Sequence, residues 1–188
     1  SKPYLIKLEP GVYDVGSTMV IMKPYVDIEG SGQQSTIIQG VGNGDGSLVT
    51  SIVKGASNAE LRNLQVKSQG TGSAISIALV IESANTRVKD VTLVSGGATS
   101  NWGGRVVNGV VSGLNPIFER VTIEVQGGSN AYGIVNNLEL ANTSLRDSRI
   151  TVTGATNAYG LYANQGAFKE THRLQVDVSG TSQVYGYY

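Results

Sequence analysis

The chain has 188 residues, enough for one sizeable domain, and its 14 basic and 14 acidic residues leave no net charge at pH 7. That balance argues against nucleic acid or an anionic membrane as the main partner. The absence of cysteine excludes disulfides, thiolate metal sites and a cysteine nucleophile, and no apolar run approaches the roughly 18 residues of a membrane span. No window of ten or more residues carries apolar positions at i, i+3, i+4 and i+7, so no helix is predicted. Short β-rich runs bounded by Gly, Asn and Ser are predicted as strands instead: 19–22, 26–29, 36–39, 51–53, 64–66, 75–81, 91–94, 121–125, 150–152 and 174–178.

These runs belong to a repeat. Leu61-Arg-Asn-Leu-Gln-Val66, Val88-Lys-Asp-Val-Thr-Leu93, Phe118-Glu-Arg-Val-Thr-Ile123, Leu145-Arg-Asp-Ser-Arg-Ile150 and Thr171-His-Arg-Leu-Gln-Val176 start 27, 30, 27 and 26 residues apart. A second set, Ala131-Tyr-Gly-Ile-Val135, Ala158-Tyr-Gly-Leu-Tyr162 and Val184-Tyr-Gly-Tyr-Tyr188, recurs after 27 and 26. A period near 27 with several short strands fits one coil of a parallel β-helix. Leucine-rich repeats would need a helical half, and propeller blades roughly 40 residues. The expectation is an all-β, single-domain right-handed parallel β-helix over residues 1–188, of about seven coils. Both ends fall in mid-coil, which predicts a piece of a longer chain, or a homo-oligomer through the ends or sides of the solenoid.

The register assigns roles. Asn58, Asn85, Asn115 and Asn142 each stand three places before the first apolar residue of the repeat. Asn tolerates the left-handed bend of a tight corner, and stacked amides about 4.8 Å apart can hydrogen-bond in an asparagine ladder. The column Asn63, Asp90, Arg120, Asp147, Arg173 alternates in sign over its last four members, which predicts ion pairs between neighbouring coils.

Residues 4–13 (Tyr-Leu-Ile-Lys-Leu-Glu-Pro-Gly-Val-Tyr), 25–32 (Tyr-Val-Asp-Ile-Glu-Gly-Ser-Gly) and 35–40 (Ser-Thr-Ile-Ile-Gln-Gly) resemble the first coils of the pectin lyase-like superfamily, in particular pectin methylesterase-like chains. The resemblance covers roughly 40 residues. It implies a right-handed parallel β-helix, secreted or at the cell surface, that handles acidic polysaccharides. The catalytic motifs of that superfamily are not matched. There is no Asp-Phe-x-Phe-Gly segment, the six Asp residues are scattered, and the one tryptophan, Trp102, lies in Asn-Trp-Gly-Gly-Arg105.

Gly30-Ser-Gly32 lacks the third glycine and the helix of a dinucleotide fingerprint. Asn43, Asp45 and Ser47 alternate oxygen ligands like half of a calcium loop, without its closing Glu. Calcium is the one cofactor with any sequence support, and no cofactor is expected. His172, the single histidine, falls in an outward turn column beside Arg146. Tyr132, Tyr159 and Tyr185, each followed by Gly, form a column that Ile75 and Asn108 continue into earlier coils. It either packs in the core, as Ile75 favours, or makes an outward aromatic strip.

The outward face of the strand after the asparagine turn carries Glu124, Arg149, Gln175 and Asp177. With Trp102, placed in a long 95–104 loop, these are the candidate carbohydrate-binding residues, Arg149 being suited to a uronate carboxylate. No catalytic residue can be named. Two functions stand: a non-catalytic module of a secreted or surface protein that binds polysaccharide, and a diverged polysaccharide lyase, esterase or glycoside hydrolase.

Overall fold

The computed structural model describes residues 3–42, 51–72, 75–107, 114–137 and 141–188. The first layer holds β1 (Tyr4–Lys7), β2 (Gly11–Asp14) and β3 (Val20–Ile21), and the second β4 (Val26–Glu29), β5 (Thr36–Gly40) and β6 (Val53–Lys54). In the third and fourth layers the first two strands fuse: β7 (Glu60–Gln69) precedes β8 (Ile75–Ile81), and β9 (Arg87–Gly96) precedes β10 (Ser100–Val106). Then come β11 (Ile117–Glu119), β12 (Thr122–Gln126) and β13 (Asn130–Asn136), followed by β14 (Asn142–Arg146), β15 (Arg149–Ala155) and β16 (Asn157–Ala163). The last layer is β17 (Ala167–His172), β18 (Gln175–Gly180) and β19 (Val184–Tyr187).

Every pairing is parallel and joins one layer to the next, as Leu61↔Val88, Phe118↔Leu145 and Ala131↔Ala158 illustrate. The fold is the expected right-handed parallel β-helix. It makes about six turns rather than seven, because seven strand layers enclose six intervals and some of those exceed the mean repeat. Ile28 pairs with Leu61 and Val88 with Phe118, 33 and 30 residues on.

Three flat faces result. A seven-stranded sheet runs β3-β6-β8-β10-β13-β16-β19. The twelve-stranded sheet contains the other two faces, a first ribbon from β1 to β17 and a second through β2, β5, β12, β15 and β18. Strands β7 and β9 pass through the corner between the two ribbons. At that corner Asn63, Asp90, Arg120, Asp147 and Arg173 have φ of 55°, 53°, 53°, 52° and 49°. Five consecutive layers therefore turn in the left-handed region, at about 1–2 kcal/mol for each residue with a Cβ. Arg120 spans Asp90 with Nε at 2.7 Å and Nη2 at 2.9 Å, and Arg173 binds Asp147 through Nε and Nη2. Two of the three predicted ion pairs are present, Asp90–Arg120 and Asp147–Arg173, and their column is the corner itself.

The asparagine column behaves differently from expectation. Asn85 donates to Asn58 Oδ1 at 3.1 Å and Asn142 to Asn115 Oδ1 at 3.3 Å. Only Asn58 and Asn85 share the left-handed bend, with φ of 54° and 56°. Pro116 restricts the backbone of Asn115, and Asn142 opens β14.

Side chains alternate across each strand. Leu61, Val88, Phe118 and Leu145 enter the core from the first ribbon, and Val66, Leu93, Ile123 and Ile150 from the second. Leu79, Ile134 and Leu161 enter from the third face; all are buried. Each contributes about 1.5–3 kcal/mol relative to an exposed side chain. Gly103, Gly133 and Gly160 stand where the faces press closest. A Cβ there would lie 2.3 Å from Ile123 Cγ2, 2.4 Å from Ile150 Cγ2 and 2.3 Å from Val176 Cγ1.

Candidate functional site: a polar cleft on the second ribbon

Outward positions of the second ribbon fall into three columns. Gln65, Thr92, Thr122, Arg149 and Gln175 form one, and Gln39, Lys67, Val94, Glu124, Thr151 and Asp177 the next. Gln69, Gly96, Gln126 and Thr153 form the third. Amides, hydroxyls and charges thus repeat every strand spacing on a rigid surface. Between the β7 and β15 layers this surface sinks into a cleft of about 1080 Å³. Its floor lies over β9, where Val94 and Gly96 are short and the neighbouring strands carry Lys67, Gln69, Glu124 and Gln126. Thr92 Oγ1 donates to Gln33 Oε1 at 2.9 Å, so the turn before β5 covers one corner and leaves Thr92 only 8% exposed.

Of the sequence-predicted residues, Glu124 and Arg149 line this cleft. Gln175 and Asp177 lie on the adjoining strand, where Asp177 accepts from both Arg149 and Gln175. Arg149 Nη2 donates to Asp177 Oδ2 at 2.9 Å, and Gln175 Nε2 donates to the same oxygen at 3.0 Å. The Arg149–Asp177 pair is exposed (55% and 46%), which limits it to about 0–1 kcal/mol and leaves the guanidinium free to exchange partners. Glu124 has no hydrogen bond or ion pair among the described residues. Two strand spacings separate it from Asp177, about 10 Å. Sequence reasoning missed Lys67, Gln69, Gln126 and the short floor, although the column register that reveals them was already contained in the repeat.

Trp102 is not part of this site. It belongs to β10 on the seven-stranded sheet, in register with Ile77 and Tyr132, and not to a loop. Gly103, which follows it, is required by the pressure of Ile123 from the opposite face. The indole meets Tyr132 edge-on at 5.8 Å, and the Arg105 guanidinium lies 4.5 Å from its centroid. Burial pulls the Arg105 pKa down.

The tyrosine column also faces outward, with Trp102 and Ile77 as its earlier members; Ile75 stands two residues before Ile77, and Asn108 lies outside the described residues. Tyr132 stacks on Tyr159 at 4.9 Å and 7°, and Tyr159 on Tyr185 at 5.6 Å and 12°. Tyr162 and Tyr188 form a second stack beside it at 5.1 Å. Burial, aided by Tyr159 and Tyr162, pushes the Tyr132 hydroxyl up to about 12. Tyr159 Oη donates to Gln183 Oε1 at 2.5 Å.

His172 ends β17, exposed and in register with Arg146. Asn43, Asp45 and Ser47 lie outside the described residues. Among the described residues no three His, Asp or Glu side chains group as a metal site, and no helix is long and apolar enough to cross a membrane.

No protein-family model matches the sequence, and no curated protein does. Solved structures resemble it in shape. A pectin methylesterase from carrot is 13% identical, with 100% of this chain and 79% of that one covered and a TM-score of 0.48. One from Yersinia enterocolitica is 17% identical, covering 85% and 64%, also at 0.48. The A-module of a mannuronan C-5 epimerase from Azotobacter vinelandii is 11% identical, covering 96% and 90%, at 0.36. In repeat and topology, the chain is a right-handed parallel β-helix.

Proposed function

We propose that this chain is a polysaccharide-binding module of an extracellular protein, with the second-ribbon cleft as its binding surface. The observation that carries this reading is the register. Three columns of Gln, Thr, Lys, Glu and Arg stand on rigid parallel strands and shape a cleft of about 1080 Å³. Arg149 supplies a planar fork for a carboxylate, and its present partner is an exposed one that a ligand can displace. Binding is favoured over catalysis by the carboxylates. Glu124 and Asp177 are too far apart for a retaining pair, and Asp177 is held by Arg149 and Gln175.

The test is a panel of neutral and acidic polysaccharides, scored for binding by calorimetry and for turnover by reducing-sugar and unsaturated-uronate assays. Binding of an acidic member without turnover is expected. Arg149→Ala should weaken it at least fivefold. Arg146→Ala, which removes only the exposed pair with Glu170, should leave it unchanged. Turnover would favour the enzyme reading, and equal effects of the two substitutions would remove the cleft from consideration.

A further inference from the structure

The seven-stranded sheet carries an arginine that the cleft does not use. Residues three apart on a strand normally point to opposite faces. Trp102 and Arg105 share one face because two successive core-facing glycines separate them. A Cβ on Gly103 would lie 2.3 Å from Ile123 Cγ2, and one on Gly104 3.6 Å from Ile134 Cγ1. The register places Trp102 between Ile77 and Tyr132, and Arg105 between Val80 and Val135. Ile77 and both valines are buried.

The charge count leaves Arg105 over. Glu82 is the acid that acts on it, but Lys54 already holds that carboxylate at 2.5 Å. Arg105 has no hydrogen bond or ion pair among the described residues, and its Nε is buried without an acceptor. The indole Nε1 of Trp102 is buried without one as well. The Trp102 ring centroid lies 4.5 Å from Arg105 Cζ. The ring attracts the charge, yet an indole offers no acceptor for the N–H groups. A half-buried charge without a partner is costly, and orphaned donors beside it add to the cost. Both features point to an anion that completes the group.

We propose that Trp102 and Arg105 form a second binding site, which takes a carboxylate with an apolar part next to the charge. The planar guanidinium matches a carboxylate through paired N–H groups. The surround of Trp102, Val80 and Val135 is apolar, so a doubly charged oxyanion would lose more hydration there than a monoanion. An alkyl part beside the carboxylate gains from the same surround. A small organic acid and an acidic side chain of a peptide both offer this chemistry. The site lies on a different face from the cleft, and neither needs the other.

The test uses Trp102, the only tryptophan of the chain, whose fluorescence reports on Arg105 directly. Folded wild-type protein is titrated with acetate, butyrate, sulfate and glucuronate, and with a blocked leucyl-glutamate amide, each against sodium chloride of matched ionic strength. Butyrate should give a saturable change and raise the melting temperature, at a concentration roughly fivefold below that of acetate. Sulfate and glucuronate should bind more weakly than butyrate. Arg105→Met should lose the response and Arg105→Lys should weaken it, with circular dichroism confirming the fold of each. Arg87→Gln, at an exposed position of the first ribbon, should leave it unchanged. If the dipeptide saturates at a lower concentration than butyrate, the carboxylate is that of a peptide; if at a higher one, that of a small acid. No saturable change beyond chloride with either, or an undiminished response in Arg105→Met, would overturn the site. Sulfate or glucuronate binding as tightly as butyrate would overturn the ligand class.

Discussion

The second ribbon and the seven-stranded sheet present outer faces with the same strand spacing and opposite chemistry. On the ribbon, Lys67, Gln69, Glu124 and Gln126 point to water. On the seven-stranded sheet the rings of Tyr132, Tyr159 and Tyr185 lie nearly parallel at 4.9 and 5.6 Å. Each ring covers the face of the next. A stack of that kind satisfies itself and leaves no inner ring face for a sugar to lie against. One outer face of the solenoid is therefore spent on cohesion, and the other keeps its hydrogen-bonding groups available. An outward aromatic column in a β-helix is evidence for a ligand only when its ring faces are free.

The contrast predicts where substitutions hurt stability. Tyr159→Ala removes a buried ring that contacts Tyr132, Tyr162, Tyr185 and Tyr188, and should cost about 3 kcal/mol in urea denaturation. Thr151→Ala, on the cleft face, should stay within about 0.5 kcal/mol. Equal costs would erase the distinction between the two faces. Gly133→Ala tests the inner side of the same Tyr-Gly pair. Its Cβ would meet Gly160 O and Ile150 Cγ2 at 2.4 Å, and overpacking there should cost about 2 kcal/mol.

The solenoid was legible because the repeat makes the register nearly explicit, and the outward positions of Glu124, Arg149, Gln175 and Asp177 were readable from that register alone. Trp102 was misplaced because the longer coil between Val88 and Phe118 was read as an insert at 95–104, whereas β9 and β10 hold most of those residues in strands. Where in a coil its extra residues fall is visible only in three dimensions. The same blindness put Ile75 in the tyrosine column, since unequal coil lengths shift the count by two residues. The charged column was legible as ion pairs but not as the corner, because Arg is a poor sequence signal for a left-handed bend.

That corner gives the second ribbon an acid sensitivity that the aromatic stack lacks. Hydrogen bonding from Arg120 holds the Asp90 carboxyl below its usual 3.8, Arg173 does the same for Asp147, and Arg62 lowers Glu29. A depressed folded pKa contributes stability that is present above the unfolded value and lost as pH falls through the folded one. The melting temperature should hold from neutrality to about pH 4 and decline below it. The decline should be smaller in Asp90→Asn, and an identical acid profile in that variant would contradict the assignment.

The smallest effect tests what keeps arginine at the bend. Arg120 has φ 53°, a conformation that costs any residue with a Cβ about 1–2 kcal/mol and glycine almost nothing. Its guanidinium recovers part of that cost through Asp90 and Glu119, an exposed network that water screens. Arg120→Ala keeps the strain and loses the pairs, so it should destabilise by up to about 1 kcal/mol. Arg120→Gly loses the pairs and the strain together, at the expense of a more flexible unfolded chain. It should therefore match the wild type and exceed the alanine variant by about 1 kcal/mol, reversing the usual advantage of alanine over glycine in regular structure. Chemical denaturation of the three proteins in low salt reads the order directly. Raising the salt should bring wild type down toward Arg120→Ala without moving the gap between the two variants, because salt screens the ion pairs and does not touch the backbone. An alanine variant as stable as the glycine one would mean that the corner is not strained, and that the arginine column is held there by charge alone.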